Sequence, residues 1–158
     1  MISSPLKGTD WKNKISQHYG ENKAFYTEKL GKYGIFFHNG TDFATPMGTS
    51  IHASFDCEII FAGEDKTGFG NCIFIRSPQR HNGEYLDAVY AHLSRIDVKT
   101  GDKINMGDKL GETGSTGMSS GPHLHWSVRK KDKNLVTKNK DNGGAGYLDI
   151  EKYIMWWE

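Results

Sequence analysis

Two histidines one residue apart, His123-Leu124-His125, lead into the apolar stretch Trp126-Ser127-Val128 and follow a small-residue loop, Gly117-Met118-Ser119-Ser120-Gly121-Pro122. On a strand, residues i and i+2 share a face. Both imidazoles therefore project together from a rigid element towards whatever the loop leaves open. One can bind a metal while its neighbour handles a proton. Further candidate ligands stand upstream in His38-Asn39-Gly40-Thr41-Asp42. Histidine and aspartate are both good zinc ligands, and a catalytic zinc commonly takes three protein ligands and a water. Gly40 lets this loop curl so that His38 and Asp42 reach one ion, and Gly40 with β-branched Thr41 disfavours a helix there. Taken alone, a histidine and an aspartate in such a loop are ordinary solvated turn residues.

The elements that must position these groups read as β. The chain has 158 residues, with 19 glycines and 4 prolines. Many glycines between short apolar runs imply tight turns joining short strands, hence an all-β or β-rich chain. The length suits one domain over 1–158 with a substantial core. Its centre is expected at about 34–128, with an N-terminal segment over 1–33 and a C-terminal loop and closing segment over 129–158. Strands are expected over 50–55, 58–62, 72–75, 86–93 and 123–129, with a β pattern starting at Gly34 and leading into His38. Residues 21–30 have weak helical spacing and read as a single helix; residues 10–19 read as a short strand or turn. The stretch 45–49 and the recurring Gly-Asp-Lys triplets at 101–103 and 107–109 read as turns. Residues 149–157 read as a short closing helix with Asp149 as N-cap, and Trp156 and Trp157 as a plug for the core or an edge.

Basic and acidic residues nearly balance, at 20 and 19, so nothing argues for nucleic acid or an anionic membrane as partner. No apolar run approaches a membrane span, and the N-terminus lacks the charged start and apolar region of a secretory signal. Cys57 and Cys72 are the only cysteines. If 56–63 and 71–77 pair as a hairpin centred near Thr67, Cys57 faces Ser77, about 17 Å along the strand from Cys72. That is too far for a disulfide, so two free, buried thiols are expected. Among the other histidines, His18 reads as a surface or packing residue, His52 as a hydrogen-bonded strand residue and His81 as exposed. His92 ends an apolar strand and, by itself, reads as a satisfied core residue.

Taken in order, His38-x-Gly-x-Asp42, Tyr90-Ala91-His92-Leu93 and Gly121-Pro122-His123-Leu124-His125 resemble the lysostaphin-type zinc metalloendopeptidases, which cut peptidoglycan. The likeness covers roughly 34–128, including the turns at 45–49, Gly101 and Gly107. It implies a small antiparallel β-sandwich with a catalytic groove on one sheet, flanked by short terminal helical or irregular segments. It also implies Zn2+ held by His38, Asp42 and His125, with His92 and His123 as the non-ligand catalytic histidines. The chemistry fits, since zinc lowers the pKa of its water and polarises a carbonyl, while a nearby imidazole can serve as general base. His123 is favoured as that base and His92 as the transition-state stabiliser. No catalytic glutamate of the H-E-x-x-H kind is apparent, and the stretches 21–31 and 78–84 depart from the pattern where they could flank a groove.

The function expected is hydrolysis of peptide bonds in the stems or cross-bridges of bacterial peptidoglycan. The alternatives are a zinc-binding structural or wall-binding module without turnover, and a histidine phosphocarrier domain of related fold, which would leave His38, Asp42 and the His-x-His pair unexplained. Small size and the lack of a signal suit a phage-type lysis enzyme made in the cytoplasm and released or delivered to the wall; expression without a removed signal would read the same way.

Overall fold

The computed structural model describes residues 2–154. Among them the glycine-punctuated apolar runs form ten strands and one α-helix. In chain order they are β1 (Ile15–Gln17), α1 (Lys23–Leu30), β2 (Thr41–Ala44), β3 (Ser50–His52), β4 (Cys57–Asp65), β5 (Gly70–Arg76), β6 (Tyr85–Ala91), β7 (Leu93–Ile96), β8 (Lys103–Ile104), β9 (Lys109–Thr113) and β10 (His123–Lys131). A seven-stranded sheet runs β1-β2-β10-β6-β5-β4-β8, and a three-stranded sheet runs β3-β9-β7. Every pairing is antiparallel. Ile51, Leu93 and Leu110 from the small sheet share one buried cluster with Phe43, Ile59, Ile73, Tyr90 and Trp126 from the large one. The two sheets thus close over a common core, as the resemblance implies.

Alternation decides which face does what. Along β10, Leu124, Trp126 and Val128 point into the core, which leaves His123 and His125 on the opposite face. The β4–β5 hairpin pairs Glu58 with Arg76 and Gly63 with Cys72. The Glu58–Arg76 pairing is the one expected from a turn near Thr67, a bulge between Ile59 and Phe61 shifts the rest of the ladder by one residue, and both cysteines are free and buried. On the outer face of β6, buried Asp87 takes a two-point bond from Arg76, Nε to Oδ1 at 2.7 Å and a second guanidinium nitrogen to Oδ2 at 2.9 Å.

Several boundaries differ from the expectation. The β pattern does not begin at Gly34. Ile35 makes one isolated bridge to Gly144, and the chain is then held by Phe36 N–H to the Gly143 carbonyl and His38 N–H to the Glu21 carbonyl. Regular pairing starts only at Thr41. The strand expected over 50–55 stops at His52, whose Nδ1 donates to the Gly107 carbonyl. The strand expected to run through His92 breaks there, because His92 has φ 62° and turns the chain out of one sheet into the other. The C-terminal segment is a 3-10 turn over Ile150–Tyr153, and Asp149 makes no side-chain capping bond; Trp156 and Trp157 lie outside the described residues. The terminal segments are also less peripheral than expected, since Leu6, Trp11 and Ile150 are buried in the main core.

Candidate functional site

His38, Asp42 and His125 converge although they come from a loop, the start of β2 and β10. Strand pairing sets His125 opposite Asp42, and the unpaired residues before β2 fold His38 back over both. His38 Nε2 lies 3.1 Å from Asp42 Oδ1 and 3.0 Å from His125 Nδ1. His125 Nδ1 lies 2.9 Å from Asp42 Oδ1. All three residues are buried. A tetrahedron around zinc, with bonds of about 2.0–2.1 Å, has edges of about 3.3 Å. The three donor atoms already form a triangle close to that size, in a donor set of two imidazoles and a carboxylate that suits zinc.

Their charge states suit ligation too. Burial alone would raise the Asp42 carboxyl, but the imidazoles of His125 and His38 beside it hold it well below the usual carboxylate range. Burial pushes the His125 imidazole down, against the pull of Asp42. The triad is thus an ionised carboxylate with a neutral imidazole at His125, the form a metal requires.

Gly40 makes the convergence possible. A Cβ there would stand 2.7 Å from His125 Cε1 and 2.7 Å from the Trp126 carbonyl oxygen, so this backbone can pass only without a side chain. Gly40→Ala is expected to cost about 1–3 kcal/mol through overpacking and to weaken metal binding by displacing His125. Thermal melts of the metal-free protein and chelator-competition titrations check the two effects.

Two further histidines face the same space. The His92 ring lies 4.6 Å from the His123 ring and 6.0 Å from the His125 ring, centroid to centroid. His123 Nε2 lies 3.6 Å from Asp42 Oδ2. Continued alternation from Tyr90, which faces the core, would point His92 into the core as well. The left-handed residue turns it onto the groove face instead. Loops 66–70 and 114–118 lie against this corner. His92 N–H donates to the Phe69 carbonyl and Met118 N–H to the Gly68 carbonyl, and a Cβ on Gly117 would meet the Gly68 carbonyl oxygen at 2.4 Å.

A shared device sets the tautomers. A carbonyl can only accept, so the ring nitrogen facing it must donate. His38 Nδ1 donates to the His18 carbonyl at 3.0 Å, His92 Nδ1 to that of Thr116 at 2.8 Å, and His123 Nδ1 to that of Gly121 at 2.8 Å. Each ring, when neutral, then keeps its lone pair on Nε2. Residue types could not reveal these three acceptors, because they are backbone atoms. His18 illustrates the point: its exposed ring pairs with Glu151, as a surface histidine would, while its carbonyl orients a candidate ligand.

Burial pushes the His92 imidazole down to about 4, and His125 and His123 add to the effect. An unfolded histidine titrates near 6.5. Between these values the unfolded chain binds the proton and the folded one does not, so stability rises with pH. The contribution is fully present above pH 6.5 and is lost as the pH falls towards 4. At about 1.4 kcal/mol per pH unit it amounts to about 3 kcal/mol. Urea titrations of the metal-free protein across this range should show the slope, and His92→Asn should flatten it.

A groove with a cavity volume of about 270 Å³ opens over His92 and His125. Tyr26 and Leu30 of α1, with Tyr33 and Ile35, line it together with Phe69 and Met118. The 21–31 stretch therefore does border the groove, whereas loop 78–84 contributes no residue to it. Burial and the Asp42 charge push the Tyr26 hydroxyl up to about 12, which keeps it an O–H donor at neutral pH.

Comparison with known proteins places the fold and the family. The chain is 38% identical over 104 residues to the peptidoglycan DD-endopeptidase ShyA of Vibrio cholerae, a match covering 65% of this chain and 23% of that protein. It is 44% identical over 92 residues to the DD-carboxypeptidase/endopeptidase Mpg of Neisseria meningitidis, covering 58% of this chain and 20% of Mpg. The chain thus spans about a quarter or less of the length of these curated relatives. Its fold is similar to the catalytic domain of lysostaphin from Staphylococcus simulans, with a TM-score of 0.69 and 28% identity over 93% of this chain and 97% of that one. The profile of peptidase family M23 matches residues 36–137, a span that holds all five candidate site residues. The chain belongs to peptidase family M23.

Proposed function

We propose that this chain is a zinc-dependent endopeptidase that hydrolyses peptide bonds in the stems or cross-bridges of bacterial peptidoglycan. His38, Asp42 and His125 would hold the zinc, and His92 and His123 would be the catalytic histidines. One observation carries the reading: beside the His-Asp-His triad stand two further imidazoles, His92 lining the groove and His123 packed against it with ring centroids 4.6 Å apart, whose Nδ1–H groups are tied to backbone carbonyls. A module that only bound zinc would have no use for two oriented proton acceptors. Relatives named as peptidoglycan DD-endopeptidases support the substrate class.

When bound, zinc would lower the pKa of a coordinated water and polarise the scissile carbonyl. The chain's own residues supply the rest. His123, with Nε2 3.6 Å from Asp42 Oδ2 at the rim of the triad, takes the proton of the attacking water and returns it to the leaving amine. His92 presents Nε2 as a second acceptor, and burial keeps it neutral. In that tautomer it can orient the water by accepting a hydrogen bond, whereas stabilising an oxyanion would need a proton on Nε2. The Tyr26 hydroxyl offers a donor along the groove wall. The enzyme would act at the bacterial cell wall. Among the described residues no helix is long and apolar enough to cross a membrane.

The test is digestion of purified peptidoglycan with release of amino termini followed over time, before and after chelation and with zinc restored. Cleavage that chelation abolishes and zinc restores supports the enzyme. Stoichiometric zinc without cleavage of any wall type would leave a binding module, and a chain that takes up no zinc would sink the central assignment.

A further inference from the structure

His38 and Asp42 fall within the residues that match the family profile, yet part of their support lies outside it. The strip 15–21 brackets both. β1 pairs with β2, setting Gln17 opposite Asp42, and Ser16 Oγ donates to the Asp42 carbonyl at 3.4 Å. Gly20 N–H donates to the His38 carbonyl and His38 N–H to the Glu21 carbonyl, both at 2.9 Å. The His18 carbonyl takes the His38 Nδ1 proton. β1 is the edge strand of its sheet, so among the described residues no further strand holds this strip from outside.

Glu151 does so from the opposite end of the chain. Its Oε2 lies 2.8 Å from His18 Nδ1 and its Oε1 accepts from Thr41 Oγ1 at 2.9 Å. The two oxygens of one carboxylate thus join the strip that orients His38 to the residue next to Asp42. The turn carrying Glu151 is anchored by Ile150, 1% exposed. Thr41 is fully buried, so its hydroxyl depends on this acceptor.

We propose that Glu151 is a positioning residue for the metal site: by bridging His18 and Thr41 it holds His38 and Asp42 in the geometry of ligands and so sets the affinity for the ion. This rests on His38, Asp42 and His125 being the ligands. Groups behind metal ligands commonly change affinity by about 10- to 100-fold. Glutamine keeps the shape of the side chain and one acceptor oxygen for Thr41, but gives up the charge that pairs with His18.

The zinc dissociation constant, measured by competition with a chromophoric chelator, is compared for wild type, Glu151→Gln and Glu151→Ala, with circular dichroism and melting of the metal-free forms alongside. Weakening of about 10- to 100-fold for alanine, with glutamine in between, is the expected result. Were alanine to prevent folding, the glutamine variant would carry the test, with weaker zinc binding than wild type at native circular dichroism. Tight zinc in wild type with unchanged affinity in the folded variants overturns the role of Glu151 alone. No zinc in wild type overturns the ligand assignment, and this inference with it.

Discussion

Replacing His125 with alanine should abolish metal binding and hydrolysis together. Its Nδ1 closes the triangle of donor atoms, at 2.9 Å from Asp42 and 3.0 Å from His38. Without it two ligands remain, one short of the number a catalytic zinc usually takes. The loss also unbalances the triad, since the buried Asp42 charge gives up one of the two imidazoles that hold it ionised. Zinc content by atomic absorption after dialysis should fall below detection at wild-type saturating concentrations. Release of amino termini from peptidoglycan should fall by about three orders of magnitude or more, because the zinc-activated water is lost as well as the ligand. A melt of the metal-free variant serves as the control for folding. Retention of one zinc per chain would remove His125 from the ligand set.

His123→Ala should separate what His125→Ala merges. His123 projects from the same face of β10 two residues earlier, but it lies at the rim of the triad, with Nε2 3.6 Å from Asp42 Oδ2. Its Nδ1 is held by the Gly121 carbonyl and lies 3.2 Å from Ser119 Oγ. Removing the ring leaves the three donor atoms untouched. The variant should therefore keep stoichiometric zinc with a dissociation constant near that of wild type, and lose about 10²- to 10⁴-fold in hydrolysis, the usual worth of a positioned general base. The loss belongs in kcat rather than KM, since proton transfer occurs in the transition state and not on binding. Full activity would take the base role away from His123, leaving His92 to fill it. Loss of zinc with activity would make it a ligand.

Much of this site is written in local spacing. The His-x-His pair faces one way because a strand has period two, and the core side of β10 bears this out through Leu124, Trp126 and Val128. The Glu58–Arg76 pairing follows from the polar turn around Thr67, although a bulge shifts the rest of the ladder by one, and that Cys57 and Cys72 stay free was legible as well. Gly101 and Gly107 mark turns, with φ of 95° and 92°, where only glycine is at ease. The weak helical spacing of 21–30 found its helix in α1, although nothing in the spacing told that Tyr26 and Leu30 would wall the groove.

The rest required the folded chain. Strand alternation sends His92 to the core, and it faces the groove only because residue 92 is left-handed, at a corner bounded by two loops far apart in sequence. The tautomers of His38, His92 and His123 depend on carbonyls of residues 18, 116 and 121, which any side chain at those positions would offer equally. Glu151 reaches His18 and Thr41 across more than a hundred residues of sequence. Periodicity and turn chemistry act between near neighbours and leave a mark in residue types. Left-handed corners, backbone acceptors and contacts between distant segments arise from how the whole chain packs, so the sequence, through its family resemblance, named the five candidate residues and only the tertiary structure decided how each would be aimed.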